Sequence, residues 1–164
     1  HHIPLTVNMD LFNASIDGNL EKIKDAIKKG ADLKWENKED FYETPLIVAS
    51  QKGKVDAVTL LLKEGAQIDN TTYWNGTALW VACQNGNEAV TRILRENGAD
   101  VEKAANIYGT PLMVAAQCGH CPIVRLLLGA GAQIDKKYGG KTALDVAQEN
   151  GKTEVVKILE KWCK

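Results

Sequence analysis

Residues 110–132, TPLMVAAQCGHCPIVRLLLGAGA, decide the fold of this 164-residue chain. Thr110 can cap a helix through its hydroxyl, the proline after it tolerates the first helical position, and leucine enters the core a turn later. Gly119, nine residues after the threonine, is typical of a left-handed residue that ends a helix. Apolar residues at helical spacing follow and end at Gly131-Ala132. The stretch therefore predicts two short helices joined by a tight turn.

The same signals recur along the chain at intervals of 33, 33 and 32 residues. Thr-Pro-Leu or Thr-Ala-Leu stands at residues 44–46, 77–79, 110–112 and 142–144, and each threonine is followed nine residues later by a glycine. A Gly-Ala pair comes twelve residues after the first three of those glycines. Because one pair of short helices cannot bury its apolar faces alone, the repetition predicts units that stack into a solenoid.

This pattern resembles the ankyrin family, whose repeat has about 33 residues, a Thr-Pro-Leu-His helix start and a Gly-His turn. The likeness covers nearly the whole chain, including an atypical first unit in which Gly18 and Gly30-Ala31 keep the twelve-residue interval. It implies an all-α ankyrin-repeat solenoid of five helix-turn-helix repeats with hairpin loops, forming a single domain over residues 3–164. The repeats are expected at about residues 5–38, 39–71, 72–104, 105–136 and 137–164.

The chain departs from the family at one position of the repeat. Where the family has a histidine after Thr-Pro-Leu, the four later repeats have Ile47, Trp80, Met113 and Asp145. The hydrogen bonds that this histidine makes are therefore expected to be replaced or absent. Trp80 is expected either in the core between repeats or at the centre of the concave face, and the sequence leaves both alternatives open.

Composition excludes several classes of partner. With 20 basic and 21 acidic residues, the net charge of −1 gives no long-range field to attract nucleic acid or an anionic membrane. The longest apolar runs, at residues 60–62 and 126–128, are far shorter than the roughly 20 residues of a membrane-spanning helix. Four unevenly spaced cysteines favour a reducing compartment. We therefore expect a cytoplasmic protein, although a cleaved signal peptide would leave no trace in this sequence.

The motif Cys118-Gly119-His120-Cys121 matches the redox motif of disulfide isomerases. In those enzymes the first cysteine begins a helix after a strand, so that the helix dipole lowers its pKa. Here the Gly-His pair is the turn expected between two helices, and Cys118 lies at the end of the first one, where the dipole raises the pKa. A structural role is the expectation. The alternative is a thiol-disulfide redox protein that uses Cys118 and Cys121.

The sequence contains few residues suited to other kinds of catalysis. The side chains of the cysteine motif lack a fourth metal ligand, so we expect no metal site. His120 is the only histidine besides the His1-His2 pair, which leaves no material for a histidine-dependent catalytic site. Glu39-Asp40 are expected as a solvated charge pair, and Lys141 lacks the preceding glycine of a phosphate-binding loop. The sequence therefore predicts a protein that is not an enzyme and needs no cofactor.

Large aromatic residues are concentrated between the repeats. In ankyrin proteins these connecting segments form projecting fingers that line a concave face with the first helices and grip partner proteins. Tyrosine and tryptophan give much contact area for little rotamer entropy and are enriched at interface hot spots. Tyr73-Trp74 is the expected anchor, while Tyr42 and Tyr108 are expected either to pack on a neighbouring finger or to bind. The connecting segments hold seven of the ten aromatic residues: Trp35, Phe41, Tyr42, Tyr73, Trp74, Tyr108 and Tyr138.

The resemblance and these residues together predict a monomeric protein-recognition module. Its partner is another protein, with neither nucleic acid nor membrane involved, and it acts as an adaptor or as an inhibitor of a partner enzyme. The fold itself does not identify that partner. Polar residues of the first helices are expected to form the rim of the surface. The expected partner-binding set is Trp35, Phe41, Gln51, Lys52, Tyr73, Trp74, Gln84, Asn85, Ile107, Gln117, Tyr138 and Glu149.

Overall fold

The computed structural model describes residues 5–163, so residues 1–4 and 164, including both ends of the expected domain, lie outside the described part of the chain. Within that range the regular structure is helical, with ten α-helices and one short 3-10 helix at Asn106–Tyr108, which confirms the all-α prediction. No helix of residues 5–163 combines the length and the apolarity needed to cross a membrane. The α-helices are α1 Leu5–Asp17, α2 Leu20–Lys28, α3 Pro45–Gln51, α4 Val55–Lys63, α5 Ala78–Asn85, α6 Glu88–Glu96, α7 Pro111–Cys118, α8 Cys121–Gly129, α9 Ala143–Glu149 and α10 Thr153–Trp162.

The helices pair into five repeats that stack in chain order. The two helices of each repeat pack on each other, each first helix contacts the next first helix, and each second helix contacts the next second helix. The core between the repeats is continuous from Leu11 to Leu159. Small side chains recur where the first helices meet, at one position in each repeat. These buried residues are Ala14, Ala49, Ala82, Ala115 and Ala147.

Helix starts and ends follow the sequence signals. The hydroxyl of a threonine before each of α3, α5, α7 and α9 accepts a hydrogen bond from the backbone N–H three residues later, at 3.1–3.3 Å. The glycine nine residues after each threonine adopts the left-handed conformation, with φ between 66° and 78°. Both predictions are confirmed. The capping threonines are Thr44, Thr77, Thr110 and Thr142.

A polar residue of each turn covers the glycine of the preceding turn. The His120 ring lies against Gly86, and its Nε2 is 2.9 Å from the carbonyl oxygen of Gln84. Asn87 takes the same place over Gly53 and donates hydrogen bonds to two carbonyl oxygens at the end of α3. These contacts join consecutive repeats at the end opposite the capping threonines. They give His120 the structural role that its position in a Gly-His turn predicts.

The residues that replace the family histidine behave in different ways. Ile47 and Met113 are buried apolar side chains. Asp145 accepts a hydrogen bond from the backbone N–H of Thr142 at 2.9 Å, which completes a capping box and lowers the pKa of its carboxyl. Trp80 is buried, and its indole N–H donates to the carbonyl oxygen of Gly109 in the next repeat at 3.1 Å. Trp80 therefore lies in the core between repeats, which is one of its two expected places.

Replacing Gly86 by alanine should cost more stability than the same replacement at Gly151. Both residues have left-handed φ angles, so each alanine carries about 1 kcal/mol of backbone strain. A Cβ at Gly86 would come within 2.8 Å of the His120 ring, whereas nothing lies within 4 Å of one at Gly151. Losing the His120 contact should add about 1 kcal/mol. Urea denaturation of both variants measures the difference, and equal losses would contradict the role assigned to His120.

Candidate functional site

Four connections between repeats project as fingers beside the first helices. Their tips close as hairpins, through an isolated antiparallel bridge in the first, third and fourth fingers. In the second finger the N–H of Thr72 donates to the carbonyl oxygen of Gly76 at 2.9 Å, which closes the tip in a similar way. The hairpin loops expected from the sequence are therefore present. We name them finger 1 (29–44), finger 2 (64–77), finger 3 (97–110) and finger 4 (130–142).

Hydrogen bonds connect the tips of the first three fingers. The backbone N–H of Tyr73 in finger 2 donates to the carbonyl oxygen of Phe41 in finger 1 at 2.8 Å. The side-chain amide of Asn75 in finger 2 donates to the carbonyl oxygen of Ala104 in finger 3 at 3.2 Å. Since each finger is tied to the next, the three tips are held in fixed positions relative to one another.

An aromatic cleft of about 410 Å³ lies among these three tips. Trp80 forms its floor, with the Trp74 ring at 4.9 Å and an interplanar angle of 68°. Tyr108 contributes a wall, 6.1 Å from Trp74 and 6.0 Å from Trp80 between ring centroids. Edge-to-face contacts of this kind are the favoured arrangement of aromatic pairs. The lining of the aromatic cleft is Phe41, Tyr73, Trp74, Trp80, Gln84 and Tyr108.

Several rings at the cleft are open to solvent. Tyr73 is 77% exposed, Phe41 62% and Tyr108 55%, and the neighbouring Ile107 of finger 3 is 86% exposed. Such side chains contribute little to the folded core, because most of their apolar surface stays in water. A contiguous group of exposed apolar side chains with a polar surround is typical of a protein interaction surface. The three fingers therefore present an apolar patch that the core does not use.

The backbone of the same tips is strained. Among residues 5–163, four residues other than glycine have left-handed φ angles: Phe41 at 54°, Tyr42 at 62°, Asn75 at 66° and Asn106 at 35°. Asparagine tolerates this conformation, but phenylalanine and tyrosine rarely adopt it, at a cost of about 1–2 kcal/mol each. Strain that collects at one place on a structure is a feature of functional sites. All four residues lie in fingers 1–3.

The remaining predicted residues divide between a second cleft and other positions. The second cleft, of about 360 Å³, lies between fingers 3 and 4 and is bordered by an ion pair in which Lys141 Nζ is 2.7 Å from Glu149 Oε2. Trp35 is half-buried and packs edge-to-face on Phe12 at 5.9 Å, away from both clefts. Predicted residues that line the second cleft are Ile107, Gln117, Tyr138 and Glu149. Those that line neither cleft are Trp35, Gln51, Lys52 and Asn85.

Two tyrosines at equivalent positions of the repeat have different surroundings. Tyr42 and Tyr108 each stand two residues before a capping threonine. Tyr42 is left-handed and stacks on Tyr73 at 6.2 Å with an interplanar angle of 24°. Tyr108 lies in a 3-10 turn without a left-handed φ and borders both clefts. The distance of a residue from the capping threonine therefore does not predict its backbone conformation in finger 3, because the residues with left-handed φ angles there are Asn106 and Gly109.

Finger 1 contains a buried carboxyl that was not predicted from the sequence. Glu43 is only 6% exposed. Its burial, and to a smaller extent the charge of Asp40, raise the pKa of its side chain to about 7, while the charge of Lys52 acts in the opposite direction. Of the pair Glu39-Asp40, which the sequence predicts to be solvated, Glu39 is exposed and Asp40 is half-buried.

Replacing Glu43 by glutamine should remove a pH dependence of stability. A carboxyl whose pKa rises on folding, here from 4.5 to about 7, binds more protons in the folded state, so stability falls as pH rises between those values. Wild type should lose about 2 kcal/mol of unfolding free energy across that range, and the variant should lose much less. Urea melts at several pH values test this, with the exposed Glu39→Gln as control. Parallel pH profiles for wild type and Glu43→Gln would contradict it.

The cysteine motif lies in the turn between α7 and α8. Cys118 is exposed and Cys121 is half-buried. The thiol of Cys118 is nevertheless partly buried, which raises its pKa above the ordinary 9.0, while the charge of Lys152 lowers it by a smaller amount. The direction is the expected one, but burial and not the helix dipole is the main cause. Cys83 is fully buried, which raises its thiol pKa to about 12. No group of three metal-ligating side chains occurs within residues 5–163.

Cys118 should react slowly with iodoacetamide at neutral pH. Since the thiolate is the reactive species, the rate should rise about tenfold per pH unit and continue rising above pH 9. Mass spectrometry of the tryptic peptide follows the modification, in a Cys121→Ser background so that only one thiol of the motif reacts. A rate that already levels off near pH 7 would show an activated thiol and restore the redox alternative.

Comparisons with known proteins give one family. The family sequence model described as ankyrin repeats, three copies, matches residues 11–105 and 103–162. The human Arf-GAP with coiled-coil, ANK repeat and PH domain-containing protein 2 is 37% identical to this chain over 65 residues, and the proteins of the same name from rat and chicken are 35% and 32% identical over that length. The aligned part is 40% of this chain and spans 8% of the length of each relative.

Proposed function

Because the chain belongs to the ankyrin-repeat family, we propose that it is a non-catalytic recognition module whose partner protein binds across fingers 1–3. Ankyrin repeats are in general protein–protein interaction modules. The aromatic cleft is the centre of the proposed surface. Gln84, near the end of α5, is the polar residue in its lining.

The observation that carries the proposal is the combination of exposure and strain at the finger tips. Phe41 is largely exposed, yet it is held in a left-handed conformation that glycine would adopt at lower cost. Its carbonyl oxygen accepts a hydrogen bond from the backbone N–H of Tyr73, which fixes the backbone from which both exposed rings project. A backbone that is fixed before binding loses little further entropy when a partner arrives. An exposed aromatic residue on a strained backbone does not stabilise the fold, so we attribute this arrangement to binding.

One partner covering both clefts is part of the proposal. Tyr108 borders the aromatic cleft and the second cleft, so the two surfaces are continuous. A single protein seated there fits an inhibitor that covers a partner enzyme, whereas an adaptor needs a further surface on the convex side. We favour the cytoplasm, since four free cysteines are typical of a reducing compartment. We also propose that the chain acts as a monomer. The raised pKa of Cys118 gives the redox alternative no support.

The double variant Phe41→Gly, Tyr73→Ala should lose partner binding without losing stability. Glycine relieves the left-handed strain at position 41, and both rings are mostly exposed, so little core packing is removed. Loss of two anchors at the centre of an interface should weaken binding at least about 30-fold. Affinity capture from lysate, with the captured protein then titrated by calorimetry, measures the change.

Trp162→Ala is the matched control, because Trp162 is a 49% exposed aromatic residue at the far end of α10, outside both clefts. Thermal melts followed by circular dichroism confirm that both variants are folded. If wild type and the double variant retain the same protein with equal affinity, the partner does not bind at the aromatic cleft and the proposal falls.

A further inference from the structure

The two clefts repeat one arrangement along the row of repeats. Gln84 in α5 and Gln117 in α7 are 33 residues apart, at equivalent positions of consecutive repeats, and both are exposed. Gln84 lines the aromatic cleft and Gln117 lines the second cleft. Tyr73 and Tyr108 lie beside the first of these amides, and Tyr108 and Tyr138 beside the second. Two sites that each combine a glutamine amide with tyrosine rings therefore lie one repeat apart.

Neither cleft presents a charge that is free to bind a charged ligand. The six residues that line the aromatic cleft include no lysine, arginine, aspartate or glutamate, so a cation on its rings would have no carboxylate partner in the lining. The second cleft is lined by Lys141 and Glu149, and these two side chains pair with each other at 2.7 Å. The faces of the aromatic rings offer flat apolar surface, against which another apolar ring packs by dispersion. The lining therefore favours an uncharged ligand with apolar rings.

The polar groups of the aromatic cleft can donate hydrogen bonds to a ligand. The indole N–H of Trp80 is already used, since it donates to the carbonyl oxygen of Gly109. A proline-rich segment suits such donors, because its carbonyl groups make no internal hydrogen bonds and its prolines have no N–H that would be left unsatisfied. A helical segment does not, because its carbonyl groups already bond within the helix. The remaining donors of the lining are the hydroxyls of Tyr73 and Tyr108, the indole N–H of Trp74 and the amide of Gln84.

The spacing of the two clefts favours the polyproline II conformation over an extended strand. Packed helices stand about 8–10 Å apart, so equivalent points of the two clefts are separated by about that distance. A polyproline II segment has three residues per turn and rises about 3.1 Å per residue, so residues three apart point the same way at about 9 Å. Residues three apart in a strand point to opposite sides. A polyproline II segment can therefore place one ring in each cleft.

The backbone of finger 2 is not available for a strand to add to it. At its tip the N–H of Thr72 donates to Gly76, that of Tyr73 donates to Phe41 and that of Asn75 donates to Thr72. Binding by strand addition needs a row of open backbone groups on the receiving chain. Recognition at the aromatic cleft therefore depends on the side chains of its lining.

We propose that the two clefts bind a proline-rich segment of a partner protein in the polyproline II conformation, with one proline in the aromatic cleft and another, three positions along the segment, in the second cleft. The inference rests on the proposed function, which requires only that a protein binds across fingers 1–3. Carbonyl groups of the segment accept hydrogen bonds from the tyrosine and glutamine side chains of the lining. Since such a segment is already extended before it binds, it loses little entropy on an aromatic-lined surface.

A displayed library of random twelve-residue peptides tests the composition of the segment. Selection on the wild-type chain should enrich peptides with two prolines three positions apart at least about tenfold over the input, because that spacing fills both clefts. The second-cleft variant Gln117→Ala, Tyr138→Ala should select peptides that keep a proline but lose the three-residue spacing. Trp162→Ala, which changes a residue outside both clefts, should select the same peptides as wild type.

The most enriched peptide, labelled with fluorescein, gives a second readout by fluorescence anisotropy. Gln117→Ala alone changes one exposed residue of α7 and should leave the chain folded. It should weaken binding of the peptide about fivefold, which is the effect of one lost hydrogen bond. Replacing either proline of the peptide by alanine should weaken binding at least about tenfold. Circular dichroism of each variant shows whether it is folded before selection and titration.

Three outcomes would overturn the inference: selected peptides without proline, a three-residue spacing that persists on the second-cleft variant, or no enrichment over the input. Apolar residues at helical spacing or charged anchors in the selected peptides belong to the first of these. None of them touches the proposed function, since capture of a folded partner by wild type and its loss in Phe41→Gly, Tyr73→Ala are measured separately. A partner protein that binds at the aromatic cleft while the selected peptides lack the proline pair separates the two proposals.

Discussion

The close approach of neighbouring first helices is the contact on which the rest of this structure depends. Consecutive first helices pack on each other, and each carries a fully buried alanine, such as Ala49, Ala82 or Ala115, where the close-packed core leaves no room for a larger side chain. Consecutive first helices contact each other more extensively than consecutive second helices do, so the stack of repeats is concave on the side of the first helices. Because the fingers stand beside these helices, the same contact fixes the distance between finger tips and hence the width of both clefts.

Most of the fold could be predicted because its signals are local. A threonine hydroxyl reaches an N–H three residues away, and a glycine ends the helix at a fixed distance, so Thr110 and Gly119 suffice to place α7. The repeat then transfers that result to the other units. The first unit lacks this start signal, and its α1 runs for 13 residues from Leu5 to Asp17, longer than any other first helix.

The aromatic cleft could be predicted only in part. The spacing of the repeats predicts that Phe41, Tyr73 and Trp74 lie in neighbouring fingers, and all three line one cleft. Trp35 and Tyr138 were grouped with them because they also lie between repeats, but Trp35 packs on Phe12 in its own repeat and Tyr138 belongs to the second cleft. Which way a loop side chain turns depends on contacts with the next repeat, and a periodic sequence pattern holds no information on those contacts.

Trp80 shows how the core and the proposed recognition surface are joined. In place of the family histidine it fills the space between repeats, and its indole N–H satisfies the carbonyl oxygen of Gly109 in the next finger. The same ring also lines the aromatic cleft, against Trp74 and Tyr108. Ile47 and Met113, at the equivalent position, have no polar atom that could make such a hydrogen bond. The interface between the third and fourth repeats is therefore where packing between repeats holds the proposed binding surface in place, so that the geometry of the cleft follows from the stacking of α5 on α7.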